Sequence, residues 1–139
     1  MKKLYTDKVT FALVMILGVI SGPANAQPVF EWVVKMGGAD FDQSVHIATD
    51  GSGNTYTTGF YNGSSATFGT TTITSAGSSD GFLAKCDPAG NFLWARNLGG
   101  DGNDNGTKVT VDKKGNVYVV GGFGSTDFAP DGSTQTFAA

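Results

Sequence analysis

The sequence predicts an all-β protein built from repeated antiparallel hairpins, and two observations indicate it. First, apolar and β-branched side chains alternate with others along residues 45–49 and 55–60, the period-two pattern of half-buried strands. Second, the linker Asp50–Asn54 has the pattern D-x-x-G-N, which recurs at Asp87–Asn91 and Asp112–Asn116. Asp can accept hydrogen bonds from backbone amides of its own turn, and Gly adopts the left-handed conformation easily. Three copies of one hairpin turn predict a repeating antiparallel sheet.

The N-terminal segment, residues 1–26, has the three parts of a secretory signal peptide. Lys2, Lys3 and Lys8 precede an apolar run at 11–20, and the segment closes on the A-x-A pattern of residues 24–26. The alternative is a short membrane anchor or a buried helix, but ten apolar residues fall short of the about 20 that a spanning helix needs. We therefore expect a helical signal peptide cleaved after Ala26. The mature region would be exported to the periplasm, the cell surface or the medium, with no membrane span.

The remaining region, residues 27–139, is acidic. It keeps 6 of the 9 basic and 11 of the 12 acidic residues, for a net charge of −5. Nucleic-acid binding needs a clustered positive field, so this balance argues against it. Cys86 is the only cysteine and shares a strand face with Phe82 and Ala84. We interpret it as a small buried hydrophobic residue; the alternative is a reactive or intermolecular thiol.

The sequence repeats itself at a constant difference in residue number, so that Trp32 aligns with Trp94 and Asp42 aligns with Asp104. We call this difference the repeat offset. Residues 30–59 aligned without a gap on residues 92–121 give 10 identities in 30 positions. Such self-similarity is typical of proteins that stack one structural unit many times. The positions to which we assign structural roles in the repeat are Trp32, Trp94, Asp50, Gly53, Asn54, Asp87, Gly90, Asp112, Gly115 and Asn116.

Each element of the repeat can be placed in order. The predicted strands of one unit are Val45–Thr49, Asn54–Phe60, Gly81–Cys86 and Phe92–Leu98, with a further strand at Phe30–Met36 before it and the strands Thr107–Val111 and Val117–Phe123 after it. A short strand pair is expected within residues 66–74, and the tail from residue 124 is expected to be a loop. Four antiparallel strands per unit are typical of a β-propeller blade. The chain would then hold about one and a half blades, with one full blade at about residues 45–98.

The motif F-x-W…GG…D…D-x-x-G-N-x-Y-x-x-G, together with Asp80–Lys85 before the second turn, resembles the bacterial β-propeller repeat called SBBP. The resemblance covers residues 29 to about 128. It implies an exported bacterial protein, often a large surface protein of several domains, and it supplies no shared catalytic residues. A propeller needs about 4–8 blades, so we expect this chain to be a fragment that lacks its neighbouring blades. Unpaired sheet edges would then favour self-association.

One stretch is a candidate calcium loop. Asp101, Asn103 and Asn105 stand at positions 1, 3 and 5 of the EF-hand pattern, and Asp112 stands at position 12. Position 12 is usually Glu, no flanking helix is predicted, and the first repeat has Ala, Phe and Gln where those first three ligands stand. Calcium is therefore a weak candidate, and no other cofactor is expected.

The residues offer little support for catalysis. His46 is the only histidine, and its repeat counterpart is Lys108, which favours a solvated strand face. The sequence has no G-x-S-x-G motif, and the acidic residues that recur all lie at turns. Trp32 and Trp94 could form a platform for stacking sugars, but their fixed place in the repeat favours packing between blades.

We therefore expect a non-enzymatic exported repeat module, serving as a scaffold or as a protein- or glycan-binding segment. The alternatives are a polysaccharide-active enzyme whose site lies on propeller loops, and a calcium-binding repeat.

Overall fold

The computed structural model describes residues 31–128 and residue 130, and the predicted signal peptide lies outside this range. The strands in the described residues are β1 (Met36–Gly37), β2 (Asp42–Thr49), β3 (Thr55–Asn62), β4 (Ser65–Phe68), β5 (Thr71–Thr74), β6 (Ser79–Cys86), β7 (Phe92–Leu98), β8 (Asp104–Val111) and β9 (Val117–Phe123). Every strand pairing between them is antiparallel. The predicted all-β, antiparallel class is confirmed. In this part of the chain no helix is long and apolar enough to cross a membrane.

A four-stranded sheet in the order β2-β3-β6-β7 forms the centre of the fold. Its strands are the four predicted for one repeat unit, with β2 and β6 beginning a few residues earlier than expected. Thr57 pairs with Ala84, which in turn pairs with Ala95 on β7. The small side chains of this row let another layer lie close to the sheet.

One face of this sheet is covered by a second, smaller sheet of order β1-β4-β5. Its hairpin β4–β5 is the predicted short strand pair, inserted between β3 and β6. Phe68 of this hairpin is fully buried against Phe82 of β6, with ring centroids 5.0 Å apart. Tyr61, Ile73 and Ala95 complete the centre of this first core. Tyr61, Phe68 and Phe82 are among the largest fully buried side chains of the described residues, and large aromatic side chains contribute strongly to the stability of a core.

The hairpin β8–β9 covers the opposite face. Its residue Val109 is 2% exposed and packs with Tyr56 and Leu83 of the four-stranded sheet. Leu98 and Phe128 belong to the same second core. The four-stranded sheet is therefore the middle layer of three, although Val45 and Ile47 of its strand β2 remain exposed.

The two hairpins β2–β3 and β8–β9 have the same register. Asp42 pairs with Tyr61, and Asp104 pairs with Phe123, so the repeat offset applies to both strands of the hairpin. The β-bulge between Ser44 and His46 recurs between residues 106 and 108. A shared bulge is a specific feature because it fixes both register and local twist. The sequence repeat is therefore a structural repeat.

The strand predicted at Phe30–Met36 is wrong over its described part, because residues 31–35 belong to no strand and only Met36–Gly37 pairs. Its counterpart β7 is held by β6, and no copy of β6 lies beside residues 31–35 in the part of the chain that the structure describes. Trp32 instead donates a hydrogen bond from Nε1 to the carbonyl of Pro88, at 3.0 Å. A strand needs a partner, which the period-two pattern alone does not supply.

Candidate functional site

The three D-x-x-G-N turns share one hydrogen-bond pattern. In the first turn, Asp50 Oδ1 accepts the backbone N–H groups of Ser52 and Asn54 at 2.9 and 3.0 Å, and its Oδ2 accepts Asn54 Nδ2 at 2.8 Å. The equivalent bonds recur in the other two turns at 2.7–2.9 Å. The turn glycines Gly53, Gly90 and Gly115 have φ values of 81°, 85° and 87°. The left-handed conformation of these glycines explains their place in the motif.

These turn carboxylates are stabilised in their charged form. Hydrogen bonds from the side chain of the turn Asn, and then from backbone N–H groups, hold the pKa of Asp87 and Asp112 below its ordinary value. For Asp50 the Asn54 side chain is again the main cause of the lowered pKa. Lys85 Nζ lies 3.8 Å from Asp50 Oδ2 and 4.8 Å from the ring centroid of Tyr56. The acidic groups of the turns therefore stabilise the hairpins.

A groove separates the first and third turns, which lie at the same edge of the stacked layers. It has a volume of about 450 Å³ and is lined by residues 49–52 and 111–115. Asp50 and Asp112 are engaged within their own turns. The carboxylates remain negatively charged, and the exposed Lys113 and Lys114 add positive charge to the same groove.

The structure does not bring the four candidate calcium ligands together. Asp101 accepts hydrogen bonds from the N–H and Oγ1 of Thr126, each at 3.0 Å. Asn103 Oδ1 accepts from Ser78 Oγ, and Asn105 Oδ1 accepts from Gly122 N at 2.8 Å. Asp112 follows the far end of the eight-residue strand β8. At the usual rise per residue it lies roughly 25 Å from the start of that strand, where the other three candidate ligands are found. Among the described residues, no group of three or more His, Cys, Asp or Glu side chains is placed to hold a metal.

The residues around Asp104 instead fasten the segment after β9 to the start of β8. Asp104 is 2% exposed and accepts the N–H groups of Gly100 and Gly124, each at 3.0 Å. Its Oδ2 also accepts the hydroxyl of Ser125. Backbone and side-chain hydrogen bonds from Thr126 lower the pKa of Asp101. Asp104, a position that recurs in the repeat, is therefore a buried acceptor of several backbone hydrogen bonds.

A buried polar chain crosses three strands of the central sheet. Tyr61 OH donates to Asn97 Oδ1 at 2.8 Å, and Asn97 Nδ2 donates to Asp80 Oδ2 at 2.8 Å. Asp80 is completely buried, and its Oδ2 also accepts Ala76 N at 3.1 Å. Its Oδ1 has no hydrogen-bond partner within the described part of the chain. Burial, and then the charge of Asp80, raise the pKa of Tyr61.

The sequence does not indicate this chain as a unit. Asp80 belongs to the repeat motif, but no local pattern links it to Asn97 or Tyr61. The three residues come together through the pairing of β3 with β6 and of β6 with β7. The one available signal is a polar residue, Asn97, inside a strand of otherwise mainly apolar neighbours.

His46 lies on a covered face, and the expectation of a solvated strand face is wrong. The side chain is half-buried under β8, and Val109 N donates to His46 Nδ1 at 3.4 Å. Cys86 is buried and unpaired. Burial raises the pKa of its thiol, and the charge of Asp87 adds to this shift. A protonated, buried thiol is a poor nucleophile.

The two tryptophans have different surroundings. Trp94 is half-buried beside the second core, with its ring in an edge-to-face contact with Tyr56 at 6.0 Å between centroids. Trp32 is also half-buried, but its ring lies on the second turn, where a Cβ at Gly90 would overlap it. Trp94 thus packs beside the boundary between layers, whereas Trp32 covers a turn.

Comparison with known proteins gives two findings. Residues 93–122 match the family model described as "Beta-propeller repeat" (SBBP), which confirms the resemblance over that segment. The chain is also similar to an "Uncharacterized WD repeat-containing protein L264" of Acanthamoeba polyphaga mimivirus, with 28% identity over 109 residues. This match covers 66% of the chain and 8% of the viral protein. The chain therefore spans less than a tenth of the length of the curated relative that it matches.

Proposed function

We propose that this chain is a non-enzymatic module of an exported β-propeller protein, acting as a scaffold or as a protein- or glycan-binding segment. One observation carries the proposal. The hairpin β8–β9 repeats β2–β3 in register and bulge, and it packs face to face on the four-stranded sheet. Propeller blades are four-stranded antiparallel sheets that pack against their neighbours in this manner. The match of residues 93–122 to the propeller repeat supports the same assignment.

In this proposal the sheet β2-β3-β6-β7 is one blade, and β8–β9 is the first half of the next. A propeller offers rims of turns around stacked sheets, and ligands bind on such exposed loops. The groove between the first and third turns lies on such a rim and is bordered by Lys113 and Lys114. An acidic glycan or an acidic protein segment would contact the ammonium groups of these two lysines.

The roles of the reactive side chains support a non-enzymatic function. Asp50, Asp87 and Asp112 accept the hydrogen bonds of their own turns. His46 lies between layers, and Cys86 is buried with a raised thiol pKa. These groups stabilise the fold, so none of them is poised as an exposed acid, base or nucleophile.

A combined binding and turnover screen tests this function. The purified chain is applied to a glycan array and incubated with a panel of polysaccharides while released sugars are quantified. Release of no sugar above a boiled-protein control supports the proposal. Turnover of any polysaccharide would overturn it in favour of a loop-borne enzyme.

The same screen tests the groove. The double variant Lys113→Ala/Lys114→Ala should lose binding of any acidic ligand, whereas Lys35→Ala, at an exposed position outside this groove, should retain it. Equal loss in both variants would contradict a role for the groove.

The export part of the proposal depends on the pattern of residues 1–26. Expression of the full chain in a bacterium should give a secreted or periplasmic product whose N-terminal sequence begins at Gln27. A cytoplasmic product that retains Met1 would overturn this part alone.

A further inference from the structure

Two equivalent tyrosines differ in exposure, and this difference marks a face that no layer of the described residues covers. Tyr56 and Tyr118 each donate a hydrogen bond to the Asp of the preceding turn, at 3.2 and 3.3 Å. Tyr56 is nevertheless 3% exposed and Tyr118 is 54% exposed. Two residues further along the same strands, the same contrast recurs, since Thr58 is 0% exposed and its counterpart Val120 is 59% exposed. We call the surface of Tyr118 and Val120 the acceptor face.

The complementary face lies on the first hairpin. Val109 of β8 is 2% exposed because it packs on the central sheet. Its counterpart one repeat earlier, Ile47 of β2, is 55% exposed, and the neighbouring Val45 is 43% exposed. We call the surface of Val45 and Ile47 the donor face.

The repeat counterparts of these two faces already pack against each other within the chain. Within the chain, Val109 packs in one core with Tyr56. On the same face, Gly106 of β8 lies against Thr58. By the repeat offset, Ile47 corresponds to Val109, and Tyr118 and Val120 correspond to the two residues of β3. The equivalent contact between two copies of the chain would therefore place Ile47 against Tyr118 and Val120. The strand β8 lies across β2 and β3 and also approaches β6. The counterparts of β2 and β3 are β8 and β9, so this part of the acceptor surface is present, whereas Leu83 and Leu98 of β6 and β7 have no counterpart among the described residues.

We propose that a second copy of this chain docks its donor face on the acceptor face of the first, head to tail. This inference goes beyond the proposed function, since it concerns self-association and requires no ligand. Donor and acceptor are different surfaces, so the contact is heterologous and leaves one free face at each end of a dimer. Association therefore continues to larger species as the concentration rises. Removal of exposed apolar side chains from water provides the driving force.

At one position, the proposed contact between two copies is less close than the packing of β8 on β3 within the chain. Gly106 lies against Thr58, and a Cβ at residue 106 would overlap Thr58 Oγ1. The donor face has Ser44 at the place of Gly106, and the acceptor face has Val120 at the place of Thr58. Both side chains are larger at this point, so the layers must separate slightly. Ser44→Gly should therefore strengthen self-association.

The test is sedimentation velocity of the purified full chain over a range of concentrations. The wild-type chain should show a weight-average mass that rises with concentration. Ile47→Lys removes the donor face and Val120→Lys removes the acceptor face, so each variant alone should sediment as a monomer. An equimolar mixture of the two should form a heterodimer and nothing larger, because each variant retains one intact face. Val33→Lys, at a side chain 84% exposed and outside both faces, should behave as wild type.

Circular dichroism and melting temperatures establish that the variants are folded, which is expected because both side chains are more than half exposed. A wild-type chain that stays monomeric would overturn the proposal. Variants that associate as strongly as wild type would also overturn it, and would indicate pairing through the edge of β9 or through the N-terminal segment. A mixture that contains only monomers would contradict the head-to-tail arrangement. None of these outcomes bears on enzymatic turnover, so failure here is distinguishable from failure of the proposed function.

Discussion

Gly59 and Gly121 occupy the same place in the two repeats, each opposite the bulge of its hairpin partner. A Cβ at Gly59 would overlap the carbonyl oxygen of Gln43, and one at Gly121 would overlap the carbonyl oxygen of Asn105. Gly59 pairs with Ser44, and Gly121 pairs with Gly106, at the last position before the register shift. The backbone of one strand thus approaches the other too closely for any side chain.

Gly59→Ala should destabilise the protein by about 1–3 kcal/mol, the usual cost of overpacking, because the obstructing atom belongs to the backbone and cannot rotate away. The free energy of unfolding from urea titrations measures the effect. Gly51→Ala is the matched control, since a Cβ there meets open space, and its effect should stay within about 0.5 kcal/mol. Equal stability of the two variants would contradict the bulge geometry.

Stability should fall in acid because the turn carboxylates lose their hydrogen bonds. The pKa of Asp87 is lower in the folded state, so the stabilisation is complete above the unfolded value of about 3.9 and disappears as the pH falls through the folded value. Asp87→Ala should lower the melting temperature at neutral pH, and its difference from wild type should shrink in this acidic window. Asp40→Ala, at an exposed position outside the turns, is the control. A constant difference at every pH would count against the carboxylate.

Alkaline conditions should test the buried polar chain. The pKa of Tyr61 is raised in the folded state, so the unfolded chain releases this proton first and stability falls as the pH rises above about 10. Tyr61→Phe should cost about 0.5–1.5 kcal/mol at neutral pH through the lost hydrogen bond to Asn97, and it should reduce the alkaline fall. Tyr118→Phe, at an exposed hydroxyl, should retain that fall. An unchanged alkaline limb in Tyr61→Phe would refute this role.

Calcium at millimolar concentration should leave the melting temperature unchanged. Asp101 and Asp112 lie at opposite ends of β8, and the carbonyl oxygens of the Asn103 and Asn105 side chains accept hydrogen bonds from other partners. Differential scanning fluorimetry with and without the ion measures the effect. A rise in melting temperature that Asp101→Ala abolishes would instead establish a calcium site.

Local features of this fold could be predicted from the sequence, because local chemistry determines them. The turns follow from Asp50 and Gly53, whose side-chain acceptor and backbone freedom act within a single turn. The strands follow from alternation, and the hairpin repeat follows from the constant repeat offset. Each of these signals lies within one repeat unit or in the comparison of two.

The features that were predicted wrongly or not predicted share a different cause, because each depends on a partner layer or a partner strand. The environment of His46 depends on Val109 of β8, which lies in the following repeat. The strand expected at 30–36 needed a neighbour to pair with. The chain of Tyr61, Asn97 and Asp80 joins residues of three strands through sheet pairing. The candidate site was accordingly less predictable than the fold, since its residues are brought together only by tertiary structure.

The packing of one repeat on the next is tested most directly by a double-mutant cycle between Thr58 and Gly106. Gly106→Ala should destabilise the protein because its Cβ would overlap Thr58 Oγ1, and Thr58→Ala should do so by removing a hydrogen bond to the carbonyl of Phe82. In the double variant Thr58→Ala/Gly106→Ala the overlap is relieved, so its cost should be less than the sum of the two single costs, with a coupling of about 1 kcal/mol or more. Strict additivity of the two unfolding free energies would show that β8 does not lie on β3, and it would contradict the stacked arrangement.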